Sequence, residues 1–170
     1  MTKTLQRITT EYIDLEDRVR LAGETADGER VVLWLTRRLL DRLLPHLLGW
    51  LEKRHVPTTS RLYEEARQGF AQEAARAGLK PEPAVSTSAA NRGWLVTAVD
   101  VNADDQRVRL NFKGQAEVDQ IWLVVEEAPL RQWLGIIHAL YIGASWPLSL
   151  WPAWMSTPDK PAEQPQRLMH

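Results

Sequence analysis

Val31-Val32-Leu33-Trp34-Leu35-Thr36-Arg37-Arg38-Leu39-Leu40-Asp41-Arg42-Leu43-Leu44-Pro45 changes its hydrophobic period partway along, and that change decides the fold class. Residues 31–35 are a short Val/Leu/Trp run of the kind that forms a strand covered on both faces. Thr36 then offers a hydroxyl for an N-cap. Beyond it Leu39, Leu40, Leu43, Leu44, Leu47, Leu48 and Leu51 recur at spacings of 3 and 4, while Arg37, Arg38, Asp41 and Arg42 fall elsewhere. That pattern predicts a helix with a wide buried stripe, kinked at Pro45. A shift of 90 residues lays Val31–Leu35 over Ile121-Trp122-Leu123-Val124-Val125, and Leu40, Leu44 and Leu47 over Leu130, Leu134 and Ile137.

The flanking sequence extends this correspondence. Upstream, Ile8–Ile13 reads as a strand, 14–17 as a turn and Arg18–Gly23 as a second strand, and Asp27-Gly28 supplies the hairpin signal before Glu29–Leu35. Arg18-Val19-Arg20-Leu21 recurs as Arg107-Val108-Arg109-Leu110. Around the second copy, Gly93–Val101, Gln106–Lys113 and Val118–Val125 read as strands separated by turns. A helix is expected from near Ala128, with Pro129 in its first turn, Glu126 and Glu127 at its positive dipole end, and a stripe of Leu130, Trp133, Leu134, Ile137, Leu140 and Tyr141.

The expected class is α+β: two related strand-strand-strand-helix units, with antiparallel sheets and packed helices, joined by a helical linker. The units occupy 1–56 and 93–145, and 57–92 holds the connecting helix and linker. That helix, more exposed than the first, is expected over Ser60–Leu79, capped by Thr59 or Ser60 and ended at Gly78, with Leu62, Tyr63, Ala66, Phe70, Ala74 and Ala77 at roughly helical spacing. A mobile linker follows over Lys80–Arg92, and 146–155 is an apolar Trp/Pro arm. A disordered polar tail over 156–170 completes what should be one compact domain.

Composition narrows the function more than it names it. The 170 residues are 44% hydrophobic and 25% charged with a formal charge of −1, which gives no field for steering nucleic acid. The chain has no cysteine, which excludes disulfides, thiol nucleophiles and Cys-ligated metals and is compatible with a cytoplasmic location. The first residues carry no apolar signal-peptide core, so no secretory signal is expected. No charged residue occurs from Gln132 to Pro158, but Pro147 and Pro152 should end a helix near Ser145. A buried helix and an apolar arm are therefore expected, not a membrane span.

Catalytic patterns are missing. His46, His55, His138 and His170 stand at no helical metal-site spacing, and there is no HExxH, GxSxG, SxxK, GxGxxG or P-loop motif. Asp100, Asn102, Asp104 and Asp105 read as a solvated turn, since their spacing is not that of an EF-hand and no closing Glu follows. Accordingly no catalytic residue, cofactor or metal site is assigned. Two features remain, each with two readings: an Arg-bearing sheet face (Arg18, Arg20, Arg107 and Arg109) that is either a solvated face or a site for an anionic partner, and the arm with Trp146, Trp151 and Trp154, which either covers the chain's own core or presents Trp anchors to a partner.

The segment Val31 to Pro45, with Leu130-Arg131-Gln132-Trp133-Leu134 and Trp146-Pro147, resembles a group of small bacterial proteins with no assigned activity. That resemblance implies a bacterial cytosolic origin and transfers no site residue. The leading expectation is a noncatalytic protein–protein interaction or assembly module, self-associating or bound to a protein partner. The alternatives are an enzyme or small-ligand binder with a pocket between the halves lined by Trp34, Trp122 and His138, and a weak anionic-ligand or nucleic-acid binder using the arginines.

Overall fold

In the computed structural model, which describes residues 3–54, 60–88, 90 and 92–156, Thr36 makes the switch from strand to helix. Its backbone is extended, and its side-chain oxygen accepts the Leu39 N–H at 3.1 Å. The strand before it is β3 (Arg30–Leu35) and the helix after it α1 (Arg37–Lys53), which runs through Pro45. Leu40, Leu43, Leu44, Leu47, Leu48 and Leu51 are buried, each contributing roughly 2 kcal/mol of transfer free energy. On β3, Val31, Leu33 and Leu35 are buried, whereas Val32 and Trp34 are only half-buried, so the second face is less covered than the sequence implied.

The fold is α+β. β1 (Leu5–Ile13) and β2 (Arg18–Thr25) precede β3, and each neighbouring pair is antiparallel. Asp17, at φ 51, closes the β1–β2 turn, and Gly28, at φ 88, supplies the left-handed backbone in the β2–β3 turn. In the later part, β5 (Ala98–Ala103), β6 (Arg107–Lys113) and β7 (Gln120–Glu126) form a second antiparallel meander. α3 (Glu127–Gly143) follows it directly. Three antiparallel strands and a 17-residue helix thus occur in the same order twice.

The expected strand over 93–101 is divided. Its first part, β4 (Arg92–Leu95), pairs in parallel with β3 and so belongs to the first sheet. The chain then crosses: the Val96 N–H donates to the Trp34 carbonyl at 3.0 Å and the Thr97 N–H to the Lys113 carbonyl at 2.8 Å. A second link joins the sheets through Thr4, which bridges Trp122, and the Trp122 N–H donates to the Lys3 carbonyl at 2.9 Å. Residues from both sheets and from α1 and α3 share one buried cluster.

The Trp arm completes that cluster, so of its two sequence readings the structure supports coverage of the chain's own core and not a presented surface. After Ser145 turns the chain at φ 58, Trp146, Trp151, Trp154 and Met155 are all buried. The last two lie in a single 3-10 turn, Ala153–Met155. Tyr141 of α3 meets Trp146 and Trp151 edge to face at centroid distances of 5.0 and 5.3 Å, an arrangement favoured by the ring quadrupoles. The Trp146 indole N–H donates to Asp17 Oδ1 at 3.0 Å. Large aromatic area explains why the arm lies against its own core; of its three indole N–H groups that of Trp146 is paired, while those of Trp151 and Trp154 have no partner among the described residues. No helix among the described residues is long and apolar enough to cross a membrane. The tail expected to be disordered lies, from residue 157 on, outside the described residues.

Candidate functional site

α2 (Arg61–Ala77) is capped at Ser60, whose side chain accepts the Tyr63 N–H, and it buries the unexpected face. Gln68, Gln72 and Ala75 point inward, Gln68 being only 1% exposed, while Leu62, Tyr63 and Phe70 are 78%, 61% and 76% exposed. What the glutamines meet explains the inversion. Gln68 Nε2 donates to the Leu51 carbonyl at 3.2 Å, at the end of α1, and Gln72 Nε2 to the Arg131 carbonyl at 2.8 Å. Gln132 of α3 donates back to the Ala75 carbonyl at 3.0 Å.

The centre of this layer is Arg131, 1% exposed although it carries a full charge. Its Nε donates to Glu127 Oε2 at 3.0 Å, one turn earlier in α3, and its Nη2 to Gln68 Oε1 at 2.6 Å. Arg54 Nε reaches the other oxygen of Glu127 at 3.0 Å. Two guanidiniums against one carboxylate leave a positive charge in excess. Burial alone would raise the Glu127 carboxyl, but hydrogen bonds from Arg131 and Arg54 outweigh it and hold the group below its ordinary value. Burial lowers the Arg131 guanidinium and Glu127 opposes that shift. The Trp154 ring lies 5.5 Å from the Arg131 guanidinium carbon, a cation–π contact.

Beside this network a groove of about 540 Å³ runs between α2, α3 and the 3-10 turn, lined among others by Gln72, Arg76, Arg131, His138, Ile142 and Met155. Two of these lining residues carry a buried polar atom with no hydrogen-bond partner, Arg131 Nη1 and Gln72 Oε1, and Trp154 Nε1 is a third such atom. Buried polar groups are almost always paired, so two unpaired atoms on residues that line one groove make that groove the candidate ligand site. The arrangement can hold and orient an anion, but it presents no nucleophile–base pair.

His138 stands in the same wall, its ring 5.0 Å from Trp151, and burial lowers its pKa. A histidine kept neutral in the folded state binds its proton more readily when unfolded, so stability falls as pH drops below its ordinary value of 6.5. Below the depressed folded value the loss levels off. We expect urea midpoints measured between pH 7 and pH 5 to fall less steeply in His138→Gln than in the parent chain; identical slopes would remove His138 as the cause.

The other sequence candidates are placed differently. Arg18 and Arg20 sit on β2 beside Glu16 and Glu11, at 4.0 and 3.5 Å, and Arg107 and Arg109 are exposed on β6 of the other sheet. The four thus stand in two sheets. Trp34 and Trp122 are half-buried on β3 and β7 and do not line this groove; of the three residues expected around a pocket between the halves, His138 is the one that lines it. Asp104 accepts the Gln106 and Arg107 backbone N–H groups at 2.7 and 3.0 Å, which is turn chemistry. Among the described residues no group of three or more acidic or histidine side chains is placed to hold a metal ion. His55 and His170 lie outside the described residues.

Sequence reasoning missed Arg131, although one signal was present. Glu127 and Arg131 stand at i, i+4, and Arg131 is the last charge before the uncharged run that starts at Gln132. Comparison with protein-family models, curated proteins and solved structures finds no match.

Proposed function

We propose that the protein is a noncatalytic assembly module that pairs with a second copy of itself through the exposed face of α2. The observation that carries this reading is the inverted helix: Leu62, Tyr63 and Phe70 face solvent while Gln68 and Gln72 are buried. Leu62, Ala66 and Phe70 stand at i, i+4 and i+8, and Ala74 and Ala77 continue the stripe, so an apolar strip runs the length of the helix. Exposed apolar strips of this kind are characteristic of interaction surfaces. The small residues Ala66, Gly69, Ala74 and Ala77 leave room for a second helix to approach closely.

Charge complementarity favours a second copy as the occupant. Glu65 and Arg76 lie on the same flank of the stripe, on either side of Phe70, so an antiparallel α2–α2 pair sets Glu65 of each copy against Arg76 of the other. Arg76 makes no ion pair among the described residues, and Glu65 has only Arg61 at 3.7 Å, itself almost fully exposed. The basic sheet positions favour an anionic partner less, since Arg18 and Arg20 already have carboxylates beside them. The cysteine-free composition is compatible with assembly in the cytoplasm.

Sedimentation velocity across a wide concentration range tests this. The parent chain should form a concentration-dependent dimer, and Phe70→Glu should be monomeric with an unchanged thermal midpoint, because Phe70 is exposed. Glu65→Arg and Arg76→Glu should each weaken the dimer and together restore it. A chain that stays monomeric at every concentration would sink the proposal.

A further inference from the structure

We infer that the groove between α2 and α3 binds a small organic 2-hydroxy acid with an apolar body, its carboxylate meeting the free edge of Arg131. The guanidinium has committed Nε to Glu127 and Nη2 to Gln68, which leaves Nη1 as the unpaired donor of a residue that lines the groove. The charge surplus of the Arg54–Glu127–Arg131 triad matches a monoanion. A charge-assisted bond to a carboxylate would satisfy Nη1, and Arg is the side chain best shaped for that contact.

The remaining wall sets the rest of the ligand. Gln72 Oε1 is a buried acceptor without a donor, which a ligand hydroxyl can supply alongside an anion, and a 2-hydroxy acid carries both on adjacent carbons. Ile136, Ile142 and Met155 give the groove an apolar side for a phenyl or branched alkyl group. His138, its pKa lowered by burial, adds no competing positive charge at neutral pH. The volume of about 540 Å³ falls in the range that accommodates such molecules. Nη1 itself has no solvent contact, so binding requires a local side-chain rearrangement beside it. Arg76 lines the groove and also serves α2 pairing, but Phe70 does not line it, so Phe70→Glu separates the two readings: it should abolish pairing and leave acid binding unchanged.

The probes are mandelate and 2-hydroxyisocaproate, titrated into the intact chain by calorimetry and by intrinsic tryptophan fluorescence, to which Trp151 and Trp154 contribute among eight tryptophans. Either acid should bind at one site per chain and raise the thermal midpoint. Mandelamide, isosteric and uncharged, should bind at least about tenfold more weakly, the loss expected for one charge-assisted hydrogen bond. Arg131→Gln should abolish binding. Since that variant removes a buried charge and could fail to fold, Ile142→Glu serves as the second: Ile142 is 55% exposed, so the fold should stand while the added carboxylate repels the ligand. Binding of neither acid, equal binding of mandelate and mandelamide, or binding unchanged in Ile142→Glu would overturn the inference. So would binding of inorganic phosphate as tight as that of the hydroxy acids, which would mark a bare anion site.

Discussion

Trp146→Ala is expected to lower the free energy of unfolding by about 3–5 kcal/mol, the usual cost of emptying a buried aromatic site. Its ring packs edge to face on Tyr12 and Tyr141 at 5.5 and 5.0 Å, and its N–H bonds Asp17, which also accepts the Tyr12 hydroxyl at 2.7 Å. One side chain therefore ties the arm to the β1–β2 turn and to α3. Trp146→Phe keeps most of the ring contacts and forfeits the indole N–H, and should cost only about 1 kcal/mol. Urea denaturation followed by far-UV circular dichroism separates the two. A loss below about 1 kcal/mol in Trp146→Ala would mean that the arm is peripheral to the core. For the same reason a chain ending at Ser145 should be unfolded, since it lacks three buried tryptophans.

Hydrophobic period reads correctly where a helix buries its apolar side and fails where it does not. In α1 the leucines spaced by 3 and 4 are the buried ones, apart from the half-buried Leu39, and the Thr36 cap falls where the period changes. In α2 the same logic would place Leu62 and Phe70 inside, yet the helix packs through glutamines because its neighbours offer the Leu51 and Arg131 carbonyls and a guanidinium that need polar partners. Periodicity shows which residues share a face; it does not show what the face meets. The division of β4 from β5 was hidden for a related reason, since alternation in 93–101 says nothing of which neighbouring strand each part will pair with. The groove depends on α2 meeting α3 and the 3-10 turn through contacts distant in the chain, such as Gln72 to Arg131 across 59 residues, and of its wall only His138 had been singled out.

Glu127→Gln should be the most destabilising single change in the polar layer, at about 3–5 kcal/mol, because it leaves Arg131 buried with no carboxylate against its charge. The cost arises from desolvation: water cannot reach the guanidinium, and Gln68 and Trp154 supply dipole and ring contacts but no opposing charge. Replacing both partners, Glu127→Leu with Arg131→Met, removes the buried charge as well as its counterion and should recover much of the loss. A double variant no more stable than Glu127→Gln would show that packing, not charge, holds the layer. Acid titration gives an independent check of sign. The folded-state Glu127 carboxyl lies below its ordinary 4.5, so its contribution is complete above that value and is lost as pH falls through the lower folded one. Stability measured from pH 6 down to pH 3 should therefore fall less steeply in Glu127→Gln than in the parent chain. The same comparison bears on the groove, since protonating Glu127 removes the counterion of the guanidinium that would bind a carboxylate and leaves the positive charge to any ligand beside it.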